Sequence, residues 1–555
     1  VVAGQPIIPA AWPLAGRAVP VPGTRAMVVT GHPLASEVGV EILKRGGNAI
    51  DAAVAVGFAL TVVLPEAGNI GGGGFLVYRD SAGRVGALDY RETAPGRATR
   101  DMYLDSLGNV TDRSLTGHLA VGVPASVAGL HEMWRAHGTL PWGTLVEPAI
   151  RLARLGHVVD SVRSESIAGD VDRLRLFPTS AAQFLVHDTA PPMGAMLRQA
   201  DLARTLQLIA DSGPSVFYRG QIADLIVKEM ERGGGLITHA DLAAYRAKWR
   251  EPIRLSYRGY TIYSMPPASS GGITLGLILN IMEGFDTVPA FGTAGHVHLN
   301  AEAMRRAFID RNRYLGDPDF VDMPVARLLS KSYGAGLRAQ IEPDRATPTP
   351  VTAGSSPGGV HTTHYSIVDA QGNAAAVTTT LNNSFGSAVT VTGGGFLLNN
   401  EMDDFTAAPG KPNYYGLVQG EANAIAPGKR MLSAMTPSIV LDCEGRLFMV
   451  LGTPGGPTII TSVYQVLTNV VDHRMTLAEA VAAPRVHHQA LPDVIRYEQG
   501  GLDATVIAAL EGMGHRLEER RGDPGYSGDI TAIIRGVGGW LGVADPRRGA
   551  GAAGW

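Results

Sequence analysis

Between residues 32 and 45 apolar side chains recur at Leu34, Val38, Ile42 and Leu43, close to the helical period. Gly46-Gly47 supply a stop, so the pattern predicts an amphipathic helix. Residues 51–63 follow as a nearly all-apolar, Ala/Val-rich stretch, better placed inside a packed layer than on a surface. Gly68-Asn69-Ile70-Gly71-Gly72-Gly73-Gly74 then runs into Phe75-Leu76-Val77-Tyr78, a strand pattern. Four successive glycines permit close backbone approach or positive φ. A phosphate loop is excluded there, because no Gly-Lys-Ser/Thr follows and a strand, not a helix, comes next. Residues 122–313 are mostly helical by pattern, 145–155 and 296–313 among them, and their chemistry is not legible.

The pattern breaks at residues 343–361, a Pro/Gly/Ser/Thr-rich stretch with neither periodicity nor enough apolar residues to pack. It is the clearest boundary in the chain. Beyond it, residues 362–368 and 374–382 flank Asp369-Ala370-Gln371-Gly372-Asn373, a turn signal, and predict a β-hairpin. With a five-residue loop Val368 faces Ala374, Thr362 faces Thr380, and Asn382 lies on the same face. A four-residue loop would put Thr380 on the opposite face, since a one-residue slip inverts every side chain. The suitability of Asp369 and Gly372-Asn373 for a turn favours five. A helix is expected from Pro457, and Thr476 with Glu479 forms a capping box for another. Layered sheets with helices outside are implied.

At 555 residues the chain calls for two domains or one large multilayered domain. Hydrophobic content of 45% and charged content of 18% fit a folded globular protein, and no apolar run is long enough to cross a bilayer. A net charge of −4 with dispersed lysines and arginines gives no footprint for nucleic acid. The one cysteine, Cys443, excludes an internal disulfide or a Cys-based zinc site. The Pro-rich opening, residues 1–22, has no basic segment before an apolar core and is not itself a signal peptide, which leaves room for a removed leader.

Thr362 follows the linker directly. Cleavage at His361-Thr362 would leave an α-amine with a pKa near ~8 on the residue that carries the hydroxyl. That amine can serve as the hydroxyl's own base; the plain alternative is a Thr-rich strand behind a loop. Gly354-Ser355-Ser356-Pro357-Gly358 spells a serine elbow but lacks the strand before and the helix after. His487-His488 point to different sides of a strand or helix, without a carboxylate at ligand spacing, and read as surface or supporting histidines. Arg91, at the end of a strand-like run, reads by itself as a surface ion-pair residue. Asn399-Asn400-Glu401-Met402-Asp403-Asp404 is either a site for an ammonium group or metal, or a solvated turn. Gly452-Thr453-Pro454-Gly455-Gly456 ends a strand before a helix, where free amides suit an oxyanion.

These stretches, with His32-Pro33-Leu34-Ala35, Gly46-Gly47-Asn48-Ala49, Arg91-Glu92-Thr93-Ala94-Pro95, Thr362-Thr363-His364-Tyr365-Ser366 and Leu397-Leu398-Asn399-Asn400, resemble the γ-glutamyltransferase (γ-glutamyltranspeptidase) family over nearly the whole chain. The resemblance implies an α/β (α+β) fold, the four-layer αββα sandwich of N-terminal-nucleophile hydrolases. It implies self-cleavage into fragments 1–361 and 362–555, which stay together as a heterodimer and form one catalytic unit. By the same resemblance Thr362 is the nucleophile, Thr380 its hydroxyl partner, and Gly455 and Gly456 the oxyanion hole. Arg91 and Ser433 would take the glutamyl α-carboxylate, and Asn382, Glu401 and Asp404 the α-ammonium. Residues 412–430, with Tyr414-Tyr415, resemble a lid over that pocket, which makes Tyr415 a substrate-side residue.

The donor would be glutathione or another γ-glutamyl compound, and the acceptor water, an amino acid or a short peptide. No cofactor, metal or membrane span is expected, and a periplasmic or secreted location is implied. Ser433 is followed by Ala434 where the family usually has a second serine. One lost hydrogen bond to a charged group costs about 1.5 to 3 kcal/mol. The alternatives are a glutaryl-type (cephalosporin) acylase of the same fold and an unprocessed protein that binds γ-glutamyl peptides.

Overall fold

The computed structural model describes residues 2–349, 362–521 and 526–555. The expected linker therefore lies for the most part outside the described residues: 350–361, with the serine-elbow look-alike and His361, are not among them. Two seven-stranded sheets form the middle of the molecule. In the first, the hairpin strands Thr362–Val368 and Ala374–Thr380 are central, flanked by Met27–Thr30 on one side and Gly73–Arg79 on the other. In the second, Leu447–Gly452 lies between Ser438–Leu441 and Thr531–Gly536.

The inner faces of the two sheets meet through Val29, Phe75, Val77, Val368 and Ala376 against Ile439, Val450 and Ile533. The outer face of the first sheet, including Tyr365, Ile367 and Val377, packs under Pro33–Lys44, Ala49–Val63 and Trp142–Leu155. That of the second packs under Gly271–Glu283, Ala294–Tyr314 and Thr458–Val471. This is the αββα sandwich, formed as one unit in which strands from either side of residues 350–361 lie next to each other.

Burial on both faces explains the strand sequences, since a strand between two packed layers has no solvent side to mark with polar residues. All seven residues of Thr362–Val368 and all seven of Ala374–Thr380 are buried. The five-residue loop is the one formed: Val368 faces Ala374 and Thr362 faces Thr380. Asp369 makes the turn by accepting from the Gln371 and Asn373 amides, both at 2.9 Å. The predicted helices are present as Pro33–Lys44, Trp142–Leu155 and Ala294–Tyr314, and the apolar stretch 51–63 lies in a fully buried helix, Ala49–Val63. Thr458–Val471 begins after Pro457, and the Thr476/Glu479 capping box opens Leu477–Ala482.

The glycine run serves close approach and not positive φ. A Cβ on Gly71 would lie 2.0 Å from the Leu397 carbonyl oxygen, and one on Gly72 would lie 2.1 Å from that of Thr380. The run thus brings the backbone carrying Thr380 and that carrying Glu401 against one strand entrance.

Candidate active site

Thr362 and Thr380 face the inter-sheet layer at one end of the sandwich, their hydroxyl oxygens 3.2 Å apart. Thr380 Oγ1 accepts from the Asn382 amide at 2.8 Å, and either hydroxyl of the pair can donate to the other. Asn382 holds a left-handed backbone, φ +77°. Asparagine tolerates that conformation better than most residues, and here it turns the chain out of the strand directly beside the hydroxyl pair.

A narrow cleft opens from this pair and is lined by Arg91, Asn382, Glu401, Asp404, Tyr415, Ser433, Ala434 and Gly456. Of the predicted site residues only Gly455 does not line it. Gly455 lies one residue behind the cleft wall at φ +140°, and Gly456 stands at φ +56°. The Gly455 and Gly456 carbonyls, not their N–H groups, start the following helix. Neither N–H is taken up by a backbone carbonyl of the described residues, and Gly456 lines the cleft.

The far end of the cleft is ionic. Arg91 is 1% exposed, so it is not the surface residue that its local sequence suggests. Its Nη1 donates to Glu401 and its Nη2 to Asp404, and its Nε donates to the Met431 carbonyl at 3.2 Å. Burial opposes the Arg91 charge, but Glu401, Asp404 and Glu92 outweigh it and hold its pKa above the ordinary value. Burial lifts Glu401 well above the usual carboxylate range, with Arg91 opposing and Glu92 and Asp404 reinforcing the rise. Asp404 is shifted upward as well, chiefly by burial and against Arg91. The segment around residue 400 is no solvated turn either: Asn399, Asn400, Glu401 and Asp404 are all buried.

Asn399 shows how that turn is held. Its Nδ2 donates to the Gly71 carbonyl at 2.8 Å and its Oδ1 accepts from the Glu401 amide at 3.0 Å, so the glycine run and the acidic turn form one frame. Ser433 Oγ accepts from the Met435 amide at 3.1 Å, and Ala434 beside it lines the cleft without a hydroxyl. Tyr415 closes the top: its hydroxyl donates to the Asn382 carbonyl at 3.0 Å, and its ring lies where a Cβ on Gly456 would be, 2.7 Å from Cδ1. Of the stretch 412–430, Tyr415 and Leu417 line the cleft.

His487 and His488 are buried rather than on the surface. His487 bonds Thr461 and Gln489, each at 2.9 Å, while His488 meets Asp493 at 3.2 Å. No cluster suited to a metal occurs among the described residues. Two cleft-side groups have no counterpart in the sequence analysis. Glu92 is fully buried beside Arg91, 3.8 Å from its Nη1. Arg311 projects from Ala294–Tyr314 into the cleft. The only cue to Arg311 was its place in a helical run also holding Arg305, Arg306 and Arg313, which resembles a charged surface.

The family model for gamma-glutamyltranspeptidase matches residues 35–555, so the chain belongs to that family. It is 46% identical over 538 residues to the glutathione hydrolase proenzyme of Escherichia coli (strain K12), covering 95% of this chain and 91% of the relative. It is 42% identical to the Acylase ACY 1 proenzyme of Pseudomonas sp. (strain SE83), covering 93% and 90%. Its structure superposes on cephalosporin acylase from Bacillus halodurans with a TM-score of 0.86, at 29% identity and 99% coverage of both chains. The expected family and fold are those found. Among the described residues no helix is long and apolar enough to cross a membrane.

Proposed function

We propose that this chain is a γ-glutamyltransferase and glutathione hydrolase that cuts itself between His361 and Thr362. The observation that carries the reading is one cleft with a hydroxyl pair and free glycine amides at one end and a buried arginine with two carboxylates at the other. In the processing step Thr362 Oγ1 attacks the preceding carbonyl and the acyl group shifts from nitrogen to oxygen, which frees the α-amine; water then hydrolyses the ester, leaving the His361 carboxylate and the free Thr362 hydroxyl. Fragments 1–361 and 362–555 remain interleaved in the same two sheets.

In turnover the Thr362 hydroxyl attacks the side-chain amide carbon of a γ-glutamyl donor while its own α-amine takes the proton. Thr380 orients the hydroxyl, and the Gly455 and Gly456 amides receive the oxyanion. The proton passes to the departing amine, leaving a glutamyl ester that water or an amino acceptor resolves. The donor's α-carboxylate replaces a carboxylate on Arg91, with Ser433 assisting. Its α-ammonium takes Glu401, Asp404 and the Asn382 side chain. Each charge exchanged in this way has a partner both before and after binding, which keeps the exchange from leaving a buried ion alone. A periplasmic or secreted location goes with this reading, as the family resemblance implies.

A second reading, acylase action on glutaryl amides, is favoured by the likeness to the two acylases and by Ala434. A glutaryl group has no ammonium for Glu401 and Asp404. Comparing γ-glutamyl and glutaryl p-nitroanilides decides between them: the γ-glutamyl compound is expected to have the higher kcat/KM by about tenfold or more, the value of one charge-assisted contact. Faster glutaryl turnover reverses the assignment.

The lid contact gives another expectation. Gly456→Ala puts a methyl group against the Tyr415 ring and costs about 1 to 2 kcal/mol for the left-handed backbone. Turnover of the γ-glutamyl anilide is expected to fall roughly tenfold or more while processing and fold persist. An unchanged kcat/KM would show that neither Tyr415 nor the Gly456 amide acts on the donor.

A further inference from the structure

Arg91 is saturated by carboxylates; the second arginine of the cleft is not. Arg311 is 2% exposed and lines the same cleft as Thr362, Ser433 and Ala434. Its Nε donates to Ser270 Oγ at 3.1 Å, and its Nη1 to Asn312 Oδ1 and Gln419 Oε1, both at 2.9 Å. All three acceptors are neutral, and no hydrogen bond joins Nη2 to the described residues. Burial depresses the Arg311 pKa to about 10, with Asp404 the one carboxylate that opposes it. A buried guanidinium without an ion pair is an expensive arrangement, and an anion entering the cleft would relieve it.

The position of this charge is specific. Ser270 Oγ, the acceptor of Arg311 Nε, donates to the Ser433 carbonyl at 2.6 Å, so the guanidinium is tied to the Ser433-Ala434 backbone. Gln419, the acceptor of Nη1, belongs to the lid segment and donates to the Asp404 carbonyl at 3.3 Å. Arg311 therefore borders the cleft where Ala434 offers no hydroxyl, between the Ser433 loop and the acidic turn.

We propose that Arg311 is a donor-specificity residue whose guanidinium takes one oxygen of the substrate's α-carboxylate on the Ala434 side, while Arg91 takes the other. The inference rests on the γ-glutamyl reading given above and adds to it a second cation. It accounts for a site that lacks one hydroxyl yet keeps its zwitterion-binding groups, since a guanidinium fork can satisfy a carboxylate that a single serine leaves short.

The test uses the processed enzyme and two chromogenic donors: L-γ-glutamyl p-nitroanilide and 4-aminobutyryl p-nitroanilide, which keeps the amine but has no α-carboxylate. Arg311→Gln is expected to raise KM for the first donor about tenfold or more with kcat within roughly threefold. Its kcat/KM for the second should stay within about twofold. Adding Ala434→Ser to Arg311→Gln should recover part of the lost affinity. An unchanged KM for the γ-glutamyl donor, or an equal loss on both donors, assigns Arg311 to the scaffold and overturns the proposal.

Should Arg311→Gln fail to process, Arg311→Lys keeps the buried charge without the fork. It must still raise KM for the γ-glutamyl donor alone, by about threefold or more, and an unchanged or donor-independent value again overturns the proposal. Wild-type protein that does not turn over the γ-glutamyl donor would instead refute the parent reading.

Discussion

Thr362→Ala is expected to remain a single full-length polypeptide on a denaturing gel and to lose turnover by at least about 10⁴-fold, because one residue supplies the attacking oxygen in both processing and catalysis. The substitution removes little else. Thr362 faces Thr380 across a hairpin whose other pairs, from Thr363 opposite Thr379 to Val368 opposite Ala374, do not depend on the hydroxyl. The fold should therefore persist, with thermal stability changed by about 1 kcal/mol, the worth of one hydrogen bond. Thr362→Ser keeps oxygen and amine but loses the methyl that restricts χ1, and should process and turn over slowly rather than not at all. Normal two-fragment processing in the alanine variant would end the mechanism. So would wild-type protein that is active while still one uncut chain, and wild-type protein that stays uncut and binds γ-glutamyl peptides without turnover would favour the binding-protein alternative.

The second large effect lies at the other end of the cleft. Arg91→Gln removes the cation from between Glu401 and Asp404, and breaking a buried ion pair by taking away one partner costs about 3 to 5 kcal/mol. Two consequences should appear together: a lower melting temperature, and a kcat/KM for γ-glutamyl p-nitroanilide reduced by roughly 10²- to 10³-fold. Arg91→Lys should not rescue activity, because the guanidinium reaches two carboxylates with separate nitrogens and an ammonium cannot match that fork. Adding Asp404→Asn to Arg91→Gln should restore part of the stability by removing an orphaned carboxylate, while activity stays low. If stability and activity recovered together, Arg91 would be a scaffold residue and the assignment of the carboxylate end would fail.

Much of this site was legible before any tertiary contact was known, and the legible part is local. The opposition of Thr362 and Thr380 followed from a turn signal and the two-residue period of a strand, both contained in nineteen consecutive positions, 362 to 380. The helix start after Gly456 was likewise written in a short stretch, while the glycine run left close approach and positive φ both open until the Leu397 and Thr380 carbonyls were placed against it. Resemblance supplied the roles that spacing could not.

What only the folded chain decided are the relations between distant residues. Arg91 reads as a surface residue because its partners, Glu401 and Asp404, stand 310 and 313 positions away. For His487 and His488 the sequence left surface and supporting positions open, and their burial is set by layers packed over them, not by their neighbours in sequence. Arg311 was invisible, since a helix that carries several arginines looks solvated until distant residues such as Ser270 and Gln419 close around one of them. Hydrophobic periodicity reports which side of an element is buried and backbone chemistry reports where it turns, but neither carries the sign or distance of a charge brought in from another layer. In this protein the sequence by itself determined the hairpin, its register and the place of Thr362 opposite Thr380. The sandwich decided which charges share a cleft with Thr362, because only packing brings buried ions near enough for one to set the state of another.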